Sequence, residues 1–215
     1  MRDLITKVYE YSEHRGSSEL GAVSTTTLIG PMYKAKLAME QTAKSNNLVA
    51  EMYKRSSTLG SAFHAWAERA LDGEERIHQE IYKEREHEGH LVTGSCDLLV
   101  KKPDDKWYIG DWKTGYGKSR NQEALDKDAK QMSIYRWLLQ DSYTIEDEAS
   151  ILFISQSNNV QEEYKIELMS LELTEEYISN RLYEIEKNES VDCNFNVRFN
   201  MCTYCDYICD HRKEK

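Results

Sequence analysis

Between residues 79 and 114 the chain switches three times in succession to a hydropathy period of two. QEIYKERE (79–86), LVTGSCDLLV (91–100) and WYIGDWKT (107–114) each read as a strand. EGH separates the first pair, and KKPDDK, built on Pro103-Asp104, separates the second. Connections this short can only join antiparallel neighbours, so the segment is expected to form a three-stranded antiparallel meander.

Around this meander the period is helical. Residues 24–46 read as a helix capped among Ser24 to Thr27, with Leu28, Met32 and Ala35 recurring at helical spacing. Residues 58–72, rich in Ala, Leu and Glu, read as a second, capped by Thr58 or Ser61. NQEALDKDAKQMSIYRWLLQ (121–140) is a third. ASILFISQ (149–156) suits a buried central strand, VQEEYKIELM (160–169) a strand beside it, and residues 174–189 an acidic helix with Tyr177, Ile178, Leu182 and Ile185 on one face. The order predicts an α/β or α+β fold: a mixed central sheet flanked by helices. The expectation is a single domain over 1–215, with N-terminal helices (24–72), a core (79–170) and a cysteine-bearing tail (193–211).

Composition closes off several function classes. With 40% hydrophobic and 31% charged residues, 2 Pro and 10 Gly, the 215-residue chain is neither collagen-like nor a long linker. No apolar run is long enough for a transmembrane helix. The first residues, MRDLITKVYEYSEHRGSS, hold no apolar core of an export signal, so a cytoplasmic protein is expected. The net charge of −10 argues against nucleic-acid binding by bulk electrostatics. Local charge differs: Lys101, Lys102, Lys106, Lys113, Lys118 and Arg120 outnumber Asp104, Asp105 and Asp111 in residues 101–120.

The chemistry concentrates in Gly94-Ser95-Cys96-Asp97 and Asp111-Trp112-Lys113. Folding the second hairpin about Asp104 sets Asp97 opposite Asp111, with Cβ atoms roughly 4.5–5.5 Å apart. Two carboxylates so close repel unless a cation lies between them. Lys113, two residues beyond Asp111, shares its strand face. Hard oxygen ligands select Mg2+ or Mn2+, and two acids with a lysine are equipment for metal-assisted phosphodiester hydrolysis. An ordinary alternative is that these are sheet-edge acids paired with Lys113. Against it stand Leu98, Leu99, Val100 and Ile109, which imply a largely buried hairpin where idle acids are costly. If Glu88-Gly89 centres the first hairpin, Glu80 also faces Asp97, with Glu84 and Glu86 on the same strand face. Cys96 should point to the opposite face, into the core.

GSAFHAWAE, TGSCDLLV, WYIGDWKTG and QMSIYRWLL, in that order, resemble the PD-(D/E)XK nucleases. More narrowly they resemble the RecB-like branch, which includes RecB and AddB nuclease domains, CRISPR-associated RecB-like exonucleases and phage exonucleases. The resemblance spans roughly residues 24–209 and implies a restriction-endonuclease-like core. It implies that His64, Asp97 and Asp111 hold Mg2+ or Mn2+, with the Trp112 carbonyl as a further ligand. Asp111 and Lys113 match its DxK, and Gln131 and Tyr135 match a QxxxY helix that contacts DNA near the cut. Read from spacing alone, His64 and Glu68 share one helix face, as do Gln131 and Tyr135.

Cys202-x2-Cys205-x3-Cys209 resembles the C-terminal cysteine motif of the iron–sulfur members of this family. Those members take a fourth cysteine from near the N-terminus, where this chain reads LIGPMYKAKL and has none. Cys193 could complete the set, or His211 could do so in a zinc site. Four such ligands suit [4Fe–4S] or tetrahedral Zn2+, here with a structural role, and the resemblance favours the cluster.

The function expected is divalent-metal-dependent DNA exonuclease activity on single strands or DNA ends, in phage- or CRISPR-type recombination or DNA processing. Partners of that setting are DNA, further copies of the chain, and a helicase, recombinase or CRISPR adaptation protein. The rival readings are a non-catalytic metal-binding adaptor for a DNA-processing complex and a structure-selective endonuclease.

Overall fold

The computed structural model describes residues 22–30, 35, 60–115, 117–156 and 161–187. The meander forms as its alternation demands. Strands β2 (Ile77–His87), β3 (His90–Lys101) and β4 (Trp107–Gly115) pair antiparallel in sequence order. The β2–β3 turn puts Glu88 (φ 50) and Gly89 (φ 79) in the left-handed region between paired His87 and His90, as a tight two-residue hairpin requires.

After β4 comes helix α3 (Gln122–Leu139), capped by Asn121, whose side chain accepts from the Ala124 amide at 2.9 Å. Strand β5 (Ile145–Ser155) returns parallel to β4, and β6 (Gln161–Glu167) closes antiparallel on β5. The apolar run 149–156 thus lies in an interior strand, which explains its near-continuous hydrophobicity. Helix α4 (Leu171–Lys187) begins three residues earlier than expected, because Ser170 accepts from the Leu173 amide and caps it there. No helix among the described residues is long and apolar enough to cross a membrane.

Two N-terminal expectations are corrected. The helix expected over 24–46 is interrupted after one turn, α1 (Thr25–Leu28), capped by Ser24 and closed at Ile29. Gly30 follows, where a Cβ would stand 2.9 Å from the Thr26 carbonyl oxygen, and Pro31 after it disfavours helical backbone at Gly30. Arg181 of α4 takes up the freed carbonyls, donating to Leu28 O at 2.8 Å and Gly30 O at 2.7 Å. Helix α2 covers residues 60–70, so Ser61 lies within it and is not its cap.

Ahead of α1, the two-residue strand β1 (Val23–Ser24) pairs parallel with Val92 and Thr93 of β3. This strand was not anticipated, and it is the sixth strand of the sheet among the described residues. β2 lines one edge of β3 along nearly its whole length. The other edge is shared: β4 pairs with Leu98–Lys101 and β1 with Val92–Thr93. Residues 94–97, Gly-Ser-Cys-Asp, lie between these partners with no ladder on that edge. The sheet therefore forks where the chemistry-bearing residues were expected. Buried Ile109, Ala149 and Ile151 from the sheet, Met132, Ile134 and Leu138 from α3, and Ile178 and Leu182 from α4 form the core beside the fork. Cys96 belongs to it, with 1% exposure.

Candidate metal and catalytic site

The hairpin register matches the sequence arithmetic. Leu98 pairs with Gly110 and Leu99 with Ile109, so Asp97 and Asp111 are the next opposed positions. The ladder stops just short of them. Instead the Trp112 amide donates to Asp97 Oδ2 at 3.0 Å, tying the diverging strands together by a side chain.

On β2, the pairs either side of Glu80 keep one register, Gln79 with Leu98 and Ile81 with Cys96. Glu80 itself has φ 48. A non-glycine residue held there carries strain of order 1–3 kcal/mol, a mark of sites where function fixes the backbone. Its carboxylate accepts from Ser95 Oγ at 3.3 Å and lies 3.7 Å from His64 Nδ1.

Helix α2 brings His64 over the fork. His64 Nδ1 is 3.5 Å from Asp97 Oδ2, and Nε2 is 3.2 Å from the Trp112 carbonyl oxygen. A carbonyl only accepts, so Nε2 carries the hydrogen and Nδ1 faces the two acids. His64, Glu80 and Asp97 each present a ligand atom within 4.8 Å of the others. The Trp112 carbonyl, expected as a ligand, holds the His64 ring.

Asp111 is turned the other way along the same face. Its Oδ2 forms a close ion pair with Lys113 Nζ at 2.6 Å, and Asp111 is 1% exposed. Lys113 also donates to Gln131 Oε1 at 3.1 Å, and Gln131 Nε2 donates to Tyr135 Oη at 2.7 Å. Gln131 and Tyr135, one turn apart on α3, are both buried. The structure thus gathers His64, Glu80 and Asp97 into one group and Asp111, Lys113, Gln131 and Tyr135 into an adjoining one.

Electrostatics bind the two groups. The Asp97 carboxyl is pushed up to about 7, first by burial and next by Asp111, against the pull of His64 and Lys113. Burial disfavours the charged form of His64, but Glu80, Asp97 and Asp111 outweigh it and raise its pKa. Burial likewise opposes charge on Lys113, yet Asp111 first and then Asp97 and Asp128 hold it above the usual lysine range. Burial chiefly raises the Tyr135 phenol, so it stays a neutral hydroxyl.

The family model of the PD-(D/E)XK nuclease superfamily matches residues 73–209. The chain belongs to this superfamily. Among solved structures, the crystal structure of SSO0001 is similar, with a TM-score of 0.68 and 19% identity over 98% of this chain and 95% of that one. At that identity the likeness establishes the shared fold. No curated protein matches the chain.

PD-(D/E)XK nucleases use Mg2+ or Mn2+, and the residues at this fork fit such an ion. The donor set is two carboxylates and an imidazole, with a third carboxylate close enough to raise the pKa of Asp97. The His64 Nε2–H bond to a backbone carbonyl is the outer-sphere contact that orients a ligating histidine. A cation would offset the burial and the repulsion from Asp111 that raise the Asp97 pKa.

Sequence reasoning gave Asp128 no role, and Arg120 only a place in the local charge. Arg120 Nη2 pairs with Asp128 Oδ2 at 2.5 Å, and Asp128 is 3% exposed. Burial raises the Asp128 pKa, while Lys113 and then Arg120 act against it. One signal was present: Asp128 precedes Gln131 by three residues and Tyr135 by seven, so it shares their helix face. Cys193, Cys202, Cys205, Cys209 and His211 lie outside the described residues.

Proposed function

We propose that the chain is a Mg2+- or Mn2+-dependent deoxyribonuclease of the RecB-like branch, acting as an exonuclease on single strands or DNA ends. The observation that carries this reading is the fork itself, where Asp97, joined by His64 and Glu80, adjoins a buried Asp111–Lys113 pair.

In this proposal His64, Asp97 and Asp111 hold the cation, with Glu80 as a fourth protein ligand. The cation, when bound, supplies Lewis-acid stabilisation of charge on the scissile phosphate. Lys113 stays an ammonium between Asp111 and Gln131, so it donates to the attacking water or a phosphate oxygen and does not serve as the base. Gln131 and Tyr135 fix that ammonium, and they place the strand through it.

The cysteine tail is proposed to hold a structural [4Fe–4S] cluster, with Zn2+ as the other occupant its spacing allows. Visible absorption and metal analysis after anaerobic purification decide between them. The nuclease reading is tested with 5′- and 3′-labelled single strands in Mg2+, Mn2+ or EDTA. Cleavage should need metal and be lost in Asp97→Ala. A circular single strand separates exonuclease from endonuclease: an exonuclease leaves it intact. Metal-independent cleavage, or full activity in Asp97→Ala, overturns the proposal.

A further inference from the structure

Three aromatic rings, Trp112 of β4 and Phe63 and Trp66 of α2, run from the fork to solvent. Trp112, whose backbone holds both Asp97 and His64, meets Phe63 edge-on at 5.4 Å between centroids. Phe63 meets Trp66 at 5.8 Å with the rings tilted by 47°. Trp112 and Phe63 are half-buried, and Trp66 is 65% exposed, the most exposed large hydrophobic side chain among the described residues. Arg69, also exposed, is three residues beyond Trp66 and shares its helix face.

The Trp66 indole packs on Phe63 at one side and leaves most of its surface open to a ligand, at the end of a ring series anchored on the fork. We propose that Trp66, supported by Phe63, is a stacking platform for an unpaired nucleobase of the strand held at the fork, with Arg69 meeting a phosphate beside it. This rests on the nuclease reading for its substrate and adds the recognition of single-strandedness. The charge of the molecule favours this occupant. A chain of net charge −10 cannot gather DNA by bulk attraction, and stacking on an aromatic face does not depend on net charge. A paired base keeps its faces within the duplex, so the platform selects unpaired strands or frayed ends.

The test is binding of a fluorescent oligothymidylate to the full chain in Ca2+, across a range of salt concentrations. Trp66→Ala should weaken binding roughly 5- to 100-fold, the range of one lost base stack, with the salt dependence unchanged. Trp66→Phe should recover most of the loss. Arg69→Ala should flatten the salt slope by about one phosphate contact. Tyr183→Ala, which removes a comparably exposed ring from α4, should bind as the wild type does. Wild-type affinity in Trp66→Ala overturns the platform, and so does no binding by the wild-type chain. Sedimentation of an oligomer that Trp66→Ala converts to monomer also overturns it, since the ring would then cover a second copy. Wild-type protein that binds through Trp66 without cutting any strand sinks the nuclease reading and leaves the platform standing.

Discussion

Glu80 and Asp97 oppose each other across β2 and β3, between the paired positions Gln79–Leu98 and Ile81–Cys96. Register is the same on both sides of them. The backbone at Glu80 adopts φ 48, and its carboxylate comes within 3.7 Å of His64 Nδ1. Strain and like charge are concentrated at one residue that a cation would stabilise.

Glu80→Gly removes both costs. Glycine accepts this backbone without strain, and one of the clustered acids is gone. In EDTA the variant should melt at or above the wild-type temperature, while Mn2+ affinity by calorimetry drops at least ~10-fold, as loss of a ligand or its immediate support does. A less stable apo variant with unchanged Mn2+ affinity would show that Glu80 serves the sheet alone.

The raised Asp97 pKa makes metal binding and stability depend on pH. Its folded value, about 7, exceeds the ordinary value of 3.8. The folded state therefore binds this proton more tightly than the unfolded state does. Its stabilising effect is complete below pH 3.8 and is lost as pH rises through about 7. In EDTA, wild-type stability should fall between pH 5 and 8 relative to Asp97→Asn, which cannot ionise. Mn2+ must displace the proton, so its apparent affinity should rise up to ~10-fold per pH unit below 7 and level off above. Equal Mn2+ affinity at pH 6 and pH 8 contradicts this placement of Asp97.

Lys113 and its hydrogen-bond partner should separate catalysis from metal binding. Lys113→Ala removes a charge that serves the transition state, so the cleavage rate should fall at least ~10²-fold. Mn2+ affinity should hold or rise, because Asp111 loses its competing partner. Gln131→Leu should lower kcat by about tenfold with Mn2+ affinity unchanged, since it frees the ammonium without touching the acids. Matched losses of kcat and of Mn2+ affinity in Gln131→Leu would make its role structural. Asp111→Ala should lose both, with at least ~10²-fold of rate.

Much of this arrangement was legible because strands are periodic and short turns fix register. Glu88-Gly89 and the Pro103-Asp104 corner were enough to place Glu80, Asp97 and Asp111 at opposed positions and Lys113 on the face of Asp111. Register does not give side-chain direction at a fork, so the sequence did not tell that Asp111 turns to Lys113 while Asp97 turns to His64. The parallel strand β1 escaped notice because two residues carry no period. Its pairing with Val92 and Thr93 is nonlocal, made where β4 has left the edge of β3. Asp128 escaped because a charged helix residue reads as solvated until a partner such as Arg120 is seen beside it.

Gly94 ties the fold to the site. A Cβ there would meet Thr25 Oγ1 at 2.5 Å, Leu138 Cδ1 at 2.9 Å and Tyr135 Cε1 at 2.9 Å. None of the three yields freely. Thr25 Oγ1 donates to Thr93 O at 3.0 Å, Leu138 is buried, and Tyr135 is hydrogen-bonded to Gln131. Gly94→Ala should therefore destabilise by ~1–3 kcal/mol through overpacking. By pushing Tyr135 it should disturb the Gln131–Lys113 contact and lower kcat beyond what unfolding explains. Gly89→Ala is the comparison. Gly89 has φ 79 with nothing near its Cβ position, so it should lose about 1–2 kcal/mol from backbone strain alone. Measured well below both melting transitions, Gly89→Ala should keep the wild-type rate and Gly94→Ala should not. Equal rates in the two would detach Tyr135 from catalysis and leave Gly94 as a packing residue only.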